Sequence, residues 1–259
     1  MERFQTGDGC AITYERSGAA DKPTLVLAPS LGTSMALFDA QMAALGEAFS
    51  VVRFDLRGHG ASEGPAGGYS MDRLGRDAVE LLDHLGEERA HFLGVSIGGM
   101  IGQWLGYRAP ERIESLVLAN TSAYMGPPSG WDDRIGVVQA QGTEAMAAPA
   151  VDRWFTKRFQ QSDAAEVSRI SDMIKATSAN GYSGCCAAIR DMDLRPTAPL
   201  VAPRCLVIAG REDPATPPEH ADFLCEQIKG ATRVDFDAAH LSNVEQPSAF
   251  SAAVLSFLQ

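Results

Sequence analysis

Residues 94–99 read Gly94-Val95-Ser96-Ile97-Gly98-Gly99, which matches the pattern G-x-S-x-G. The preceding residues, 89–93, have a strand-like pattern, and residues 100–107 are an apolar-rich segment that predicts a helix. In a strand–turn–helix of this kind the central serine lies on a strained turn that exposes its hydroxyl as a nucleophile. Glycine suits positions 94 and 98 because larger side chains there would collide with neighbouring backbone. The alternative is an ordinary strand–turn–helix with an incidental serine.

The size and charge of the chain limit the classes of function. Its 259 residues suffice for one large α/β domain or for a core with an insertion, and 45% of them are apolar. The net charge of −11 argues against nucleic acid and anionic membranes as partners, and an anionic substrate would need a local cation. No apolar run approaches the roughly 18 residues of a membrane span, and residues 1–5 lack the apolar region of a secretory signal. We therefore expect a cytoplasmic protein, and the sequence leaves open whether it is a monomer or a homodimer.

Cysteine spacing and known ligand-binding patterns predict neither a disulfide framework nor a metal site. The five cysteines are odd in number and irregularly spaced, and we expect them to be reduced: Cys10, Cys185, Cys186, Cys205 and Cys225. The sequence has no P-loop and no H-E-x-x-H pattern, and the glycines at positions 58 and 60 lack the spacing of a dinucleotide site. We expect no cofactor and no metal.

Strand-like and helix-like segments alternate through most of the chain. Strands are predicted at 10–15, 24–28, 50–55, 91–95, 113–119, 204–210 and 231–236, and helices at 38–45, 71–85 and 247–258. Residues 122–198 instead show only helical patterns, at 134–141, 151–159, 164–177 and 182–191. The alternation predicts an α/β fold with a mostly parallel sheet flanked by helices. We expect a core of residues 1–121 and 199–259, with 122–198 as an inserted helical cap over the carboxyl ends of the strands, where such sheets bind ligands.

A serine nucleophile needs a base, and His240 is the best candidate. It follows the strand predicted at 231–236 and precedes the last helix, so it should reach the same edge of the sheet as Ser96. The other four histidines are less well placed: His59 follows an earlier strand, His84 lies on a helix, His91 begins the strand before Ser96, and His220 lies at or in a helix. A histidine on a surface loop is the alternative interpretation of His240.

The base in turn needs an acid that orients it, and Asp213 follows the strand at 204–210. The sequence order serine, acid, histidine is the one expected for this architecture. Pro214 breaks the chain directly after the acid, which suits a fixed turn. Glu212 is the nearest alternative, while Asp235 and Asp237 are weaker candidates because they lie too close to His240 in sequence.

Backbone N–H groups should stabilise the oxyanion that forms when Ser96 attacks a carbonyl. One donor is expected from Ile97, the residue after the nucleophile, and the other from Leu31, in the loop after the strand at 24–28. Gly32, next to Leu31, also fits an ordinary tight turn.

Over its full length the chain resembles the α/β-hydrolases. This resemblance is carried by residues 94–99, by Asp55-Leu56-Arg57-Gly58-His59-Gly60 with Ser62, and by Asp213 and His240. A narrower resemblance, to the bacterial 3-oxoadipate enol-lactonases, is carried by residues 30–33, 38–42 and 94–105 and, in the cap, by 131–135 and 181–193. Phe38 departs from that pattern, since many relatives are expected to have tryptophan there.

The resemblance implies an α/β-hydrolase fold and the triad Ser96, Asp213 and His240. It also implies a small anionic substrate, an unsaturated lactone ring with a carboxymethyl arm, which is opened to 3-oxoadipate in the degradation of aromatic compounds. A guanidinium can hold a carboxylate at two points, so Arg134, and after it Arg190, are the candidates for binding the arm. Trp131 would pack on the ring. Alternatively, these arginines are surface ion pairs and Trp131 belongs to the core of the cap.

Two other functions stay open at this point. The protein is alternatively a carboxylesterase or lactonase for another small ester, or a non-catalytic ligand receptor on the same fold. A serine at position 96 disfavours haloalkane dehalogenases, whose nucleophile is an aspartate.

Overall fold

An eight-stranded sheet forms the centre of the computed structural model, which describes all 259 residues. The strands are β1 (Glu2–Gln5), β2 (Ala11–Ser17), β3 (Thr24–Ala28), β4 (Ser50–Phe54), β5 (Ala90–Val95), β6 (Ile113–Ala119), β7 (Arg204–Gly210) and β8 (Thr232–Phe236). Their order in the sheet is β1-β2-β4-β3-β5-β6-β7-β8. Only the pairs β1–β2 and β2–β4 are antiparallel, so the mostly parallel α/β sheet predicted from the sequence is confirmed.

Eleven α-helices accompany the sheet. They are α1 (Met42–Gly46), α2 (Met71–Leu85), α3 (Ile97–Arg108), α4 (Pro128–Gln141), α5 (Glu144–Trp154), α6 (Lys157–Ser162), α7 (Ala164–Ala176), α8 (Ala179–Asp191), α9 (Pro218–Gln227), α10 (Ser242–Glu245) and α11 (Pro247–Leu258). Short 3-10 helices lie at Met35–Gln41, Pro110–Arg112 and Ala198–Leu200. None of the helices combines the length and the hydropathy that crossing a membrane requires.

Local signals explain where the predicted elements begin and end. The prediction of a helix at 71–85 is confirmed: the side chain of Ser70 accepts a hydrogen bond from Arg73 N at 3.1 Å, and Gly86 ends the helix with φ 70°. The strands predicted at 24–28, 113–119 and 204–210 also have the observed bounds. They are almost continuously buried, because helices cover both faces of a parallel sheet.

One prediction about the elements is wrong, one helix has a different form at its start, and one strand was missed. The segment 151–159 is not one helix, because Phe155 is extended and Thr156 caps a new helix, α6, by accepting a hydrogen bond from Phe159 N at 3.1 Å. The segment 38–45 begins as a 3-10 helix rather than as an α-helix. Strand β1 was not predicted, and it pairs with β2 at the edge of the sheet.

Five helices, α4 to α8, lie between β6 and β7 and follow one another without an intervening strand. The loop after β4 touches the start of α8 through two glycines. A Cβ atom at Gly58 would lie 2.1 Å from the Cα of Gly181, so the two backbones are in direct contact. Ser178 N also donates to Gly58 O at 3.3 Å. The division into a core and a cap at residues 122 and 198 stays a prediction.

Candidate active site

Ser96 lies on a sharp turn between β5 and α3. Its backbone angles are φ 58° and ψ −116°, a conformation that L-residues rarely adopt and that costs about 1–3 kcal/mol. A Cβ atom at Gly94 would lie 2.1 Å from the backbone of Gly98, and one at Gly98 would lie 2.2 Å from Ala28 O. The collisions expected from the sequence are therefore present, and they explain why both positions are glycine.

A cavity of about 200 Å³ lies above this turn. From the core it is lined by Ser30, Leu31, Ser96, Thr216 and His240, and from helices α4, α5 and α8 by Trp131, Arg134, Arg153, Trp154, Tyr182 and Ile189. The volume is below the range of pockets for drug-sized ligands, which indicates a small substrate. No acidic side chain lines the cavity.

Asp213 and His240 form a buried pair. Asp213 follows β7, His240 follows β8, and the two side chains meet because neighbouring parallel strands end at the same edge of the sheet. His240 Nδ1 lies 2.8 Å from Asp213 Oδ2, and the side chains are 3% and 0% exposed, respectively. A carboxylate at Nδ1 favours the tautomer with the proton on Nδ1, which leaves Nε2 free to accept a proton.

Several donors hold the carboxylate of Asp213 in place. Its Oδ1 accepts hydrogen bonds from Ala215 N and Thr216 N at 2.8 and 2.9 Å, and its Oδ2 accepts one from Thr216 Oγ1 at 2.7 Å. Burial alone would raise the pKa of Asp213, but the charge of His240 and these hydrogen bonds keep that pKa below its usual value. The group therefore stays ionised at neutral pH.

Asn120 supports the same pair and was not predicted from the sequence. It follows β6 with φ 46°, and its Nδ2 donates to Asp213 Oδ2 at 3.1 Å and to Ala239 O at 3.2 Å. Its Oδ1 accepts a hydrogen bond from Ser242 Oγ at 2.6 Å. One side chain thus connects the loop that bears the acid with the loop that bears the histidine. The available signal was a polar residue directly after a buried strand.

Ser96 and His240 line the same cavity but do not form a hydrogen bond with each other in this conformation. The hydrogen bonds of the imidazole are made through Nδ1, to Asp213 and to Thr216 Oγ1 at 3.2 Å. Contacts between a nucleophile and its base are often long in ligand-free sites and shorten when substrate binds. The fold therefore brings Ser96, Asp213 and His240 to one site. The hydrogen bond between Ser96 and His240 is the one contact of a catalytic triad that is not formed.

The two predicted oxyanion donors are positioned by separate elements. Ile97 begins α3, and Leu31 lies in the loop after β3 and lines the cavity. Neither N–H donates to a carbonyl of the turns, loops and helix caps, so both are available to a ligand. Asp55 holds the Leu31 loop by accepting a hydrogen bond from Met35 N at 2.7 Å.

The cap residues predicted to bind substrate do not all reach the cavity. Trp131 and Arg134 line it, and the Arg134 guanidinium lies 4.5 Å from the centroid of the Trp131 ring. Arg190 is not among the lining residues, and its guanidinium is ion-paired with Asp132 at 2.8 Å and with Asp191 at 2.7 Å. Its placement matches the alternative of a surface ion pair.

Arg153, on α5, lines the cavity and was not predicted. Neither Arg153 nor Arg134 is ion-paired with a carboxylate. Burial, and then the charge of Arg134, lower the pKa of Arg153, and both residues line the same cavity. Burial also raises the pKa of Tyr182 to about 12, against the opposing effect of both arginines, so the hydroxyl stays protonated beside them. The cavity thus has a cationic wall without its own counter-ion.

Other titratable groups lie away from this site. His59 is fully buried, with Nδ1 3.1 Å from Arg57 O, and desolvation lowers its pKa to about 4. All five cysteines are free. No three histidine, cysteine, aspartate or glutamate side chains converge in an arrangement that fits a metal ion.

Comparisons with known proteins agree with this fold. The sequence profile of a family described as "alpha/beta hydrolase fold" matches residues 23–247. The chain is 41% identical to 3-oxoadipate enol-lactonase 2 of Acinetobacter baylyi, over 96% of this chain and 93% of that protein. The crystal structure of the enol-lactonase from Burkholderia xenovorans LB400 matches with a TM-score of 0.97 and 37% identity, over 99% of each chain.

A second solved structure, a hydrolase from Pseudomonas aeruginosa PA01, matches with a TM-score of 0.97 and 47% identity, over 99% of this chain and 97% of that one. The profile match spans most of the chain, and the relatives align over nearly their whole length. The chain therefore belongs to the α/β-hydrolase family and is a hydrolase.

Proposed function

We propose that the protein opens 3-oxoadipate enol-lactone to 3-oxoadipate, with Ser96 as nucleophile, His240 as base and Asp213 as the acid that orients it. The observation that supports this most is a single small cavity that contains Ser96, His240 and two unpaired arginines. A neutral ester would leave those cations uncompensated, whereas the substrate of the named relatives has a carboxylate. Opening of this lactone would be a step in the degradation of aromatic compounds.

In the first half of the reaction, Ser96 Oγ adds to the lactone carbonyl while its proton moves to His240 Nε2. The N–H groups of Leu31 and Ile97 stabilise the negative oxygen of the tetrahedral intermediate. The ring C–O bond then breaks. Because the leaving oxygen belongs to an enol, it departs more readily than an alkoxide. His240 Nε2 returns its proton to the leaving group, which becomes the ketone, and the imidazole is neutral again for the second half. The opened chain stays attached to Ser96 as an ester.

In the second half, water attacks the acyl-enzyme while His240 takes a proton from it. A second tetrahedral intermediate collapses, the proton returns to Ser96 Oγ, and 3-oxoadipate leaves. Asp213 stays ionised throughout and stabilises the imidazolium that forms twice. Arg134 and Arg153 hold the carboxymethyl arm, since guanidinium groups bind carboxylates through paired N–H donors. Trp131 keeps the Arg134 guanidinium in place by cation–π contact.

The direct test is the ultraviolet loss of the enol-lactone on addition of enzyme, measured beside the hydrolysis of p-nitrophenyl acetate. We expect rapid turnover of the lactone and formation of 3-oxoadipate, with much lower kcat/KM for the acetate. Turnover of the acetate alone would instead favour a carboxylesterase for another small ester. Binding of the lactone without turnover of either compound would favour a receptor.

A further inference from the structure

The cationic wall of the cavity, Arg134 and Arg153, offers guanidinium donors of the kind that bind a free carboxylate. Both side chains line the same cavity as Tyr182 and Ser96, and neither is ion-paired with a carboxylate. Like charges packed together away from water are unfavourable unless an anion neutralises them. Arg190, on the same cap, illustrates the other arrangement, because Asp132 and Asp191 already neutralise it.

Nothing else in the cavity requires the substrate to be cyclic. The remaining cap wall is apolar or aromatic, with Trp154, Tyr182 and Ile189 facing the same space as Ser96. These groups exclude water and limit size, but they do not distinguish a closed ring from an open chain of the same length. The features that select a substrate are then the ester carbonyl at Ser96 and the carboxylate at the arginines.

We propose that the protein is also a hydrolase of acyclic half-esters of short dicarboxylic acids, and that it prefers half-esters of six-carbon acids, such as monomethyl adipate. The preference for half-esters over neutral esters depends on Arg134 and Arg153. The preferred chain length rests on the proposed lactonase function, because it is taken from the acyl-enzyme intermediate of that reaction. The acyl group that the lactone leaves on Ser96 is a six-carbon chain with a free carboxylate at its far end. Monomethyl adipate leaves the same chain, with a methylene in place of one ketone.

The chemical step differs only in the leaving group. Ser96 Oγ attacks the ester carbonyl and its proton passes to His240 Nε2. The bond from carbon to the methoxy oxygen then breaks, and His240 returns the proton to that oxygen, so methanol leaves. Water completes the cycle as for the lactone, giving adipate. Because methoxide is a poorer leaving group than an enolate, this reaction depends more on proton donation by His240 and should be slower than lactone opening.

The experiment compares monomethyl esters of malonate, succinate, glutarate and adipate with the matching dimethyl esters, using the intact protein at neutral pH. Methanol release gives kcat/KM for each compound. We expect monomethyl adipate to exceed dimethyl adipate by about tenfold or more, since each charge-assisted contact contributes at least that factor. We also expect kcat/KM to rise with chain length towards six carbons. Equal rates, or a preference for the neutral diester, would overturn the proposal.

Variants connect this preference to the two arginines. In Arg134→Gln and Arg153→Gln, the ratio of kcat/KM for half-ester over diester should fall by about tenfold. Arg134→Lys and Arg153→Lys should restore part of it, because the charge remains. Arg76→Gln, which removes an exposed arginine on α2, is the matched control and should keep the wild-type ratio. A ratio that stays unchanged in both cavity variants would contradict the assignment even if half-esters are cleaved.

Parallel assays with the enol-lactone separate the two proposals. If the lactone is opened and half-esters show no advantage, the half-ester proposal is wrong and the lactonase function stands. If half-esters are preferred and the lactone is inert, the lactonase function is wrong and carboxylate recognition stands. Thermal unfolding of each variant checks that a lost preference does not come from a lost fold.

Discussion

The two walls of the cavity are built in opposite ways. On the core side, Asp213 accepts hydrogen bonds from five donors on three loops, including Asn120, Thr216 and His240. On the cap side, Arg134 and Arg153 face the cavity without a carboxylate partner. The carboxylate of Asp213 has its hydrogen-bond partners without a ligand, whereas the two arginines have no counter-ion until an anion binds. We therefore expect the chemistry to depend on the loops after β6, β7 and β8, and substrate choice to depend on helices α4 and α5.

Replacing the nucleophile should have the largest effect. Ser96→Ala should lower kcat for the enol-lactone by about 10⁴-fold or more, because the hydroxyl that forms the acyl-enzyme in the proposed mechanism is removed. Binding of the substrate anion should survive, since the cationic wall is intact. Steady-state rates and isothermal titration with the lactone measure both. A variant with substantial residual turnover would show that the chemistry does not start at Ser96.

Ser96→Gly is the companion variant and tests the backbone strain. It should lose activity as Ser96→Ala does, but it should raise the melting temperature by a few degrees, because glycine adopts φ 58° without a clash. Ser96→Ala keeps the Cβ atom and should not show this gain. Equal melting temperatures for the two variants would indicate that the turn is not strained.

An intermediate effect is expected at Thr216, whose hydroxyl donates to Asp213 Oδ2 at 2.7 Å. Thr216→Val keeps the shape and removes the donor, and we expect kcat to fall by about tenfold. It should also raise the pKa of Asp213, which is held below its usual value in the wild-type protein. A carboxyl with a lowered folded pKa stabilises the protein above its unfolded pKa and loses this effect as the pH falls through the folded pKa. Acid unfolding should therefore begin at a higher pH in Thr216→Val.

Thr216→Ser is the control for this prediction because it keeps the hydroxyl. Circular dichroism followed from pH 6 downward, together with kcat at neutral pH, compares the three proteins. We expect Thr216→Ser to resemble the wild-type protein in both measurements. If Thr216→Val also matches the wild-type protein in both measurements, the Thr216 hydroxyl has no role in positioning Asp213.

The site residues on the core loops could be predicted from the sequence because they directly follow strand ends. Ser96, Asp213 and His240 each come after a strand that could be recognised by its apolar run, and parallel strands end together. Asn120 has the same position after β6 but no pattern of its own. Its contacts join residues that are 93 and 119 positions away, and such distances are set only by the folded sheet.

The side chains that helices α4 to α8 direct into the cavity could not be predicted in the same way. Arg153 lies on α5, inside a segment that was predicted as part of one helix across a break at Phe155, so its orientation was lost. Arg190 lies within a segment that resembles the lactonases, yet its side chain does not line the cavity. The side on which a helical arginine lies depends on how five helices pack together. Local periodicity gives the helices but not their mutual rotation.

Arg190 supplies the smallest predicted effect and the sharpest contrast within the cap. Arg190→Gln should change kcat/KM for the enol-lactone by about twofold or less, because ion pairs near the surface contribute little and this one is outside the cavity. Arg134→Gln, measured in the same assay, should cause a loss at least several times larger. Equal losses would mean that Arg190 contacts the bound substrate. An ion pair with a carboxylate would then not distinguish a structural arginine from one that binds substrate.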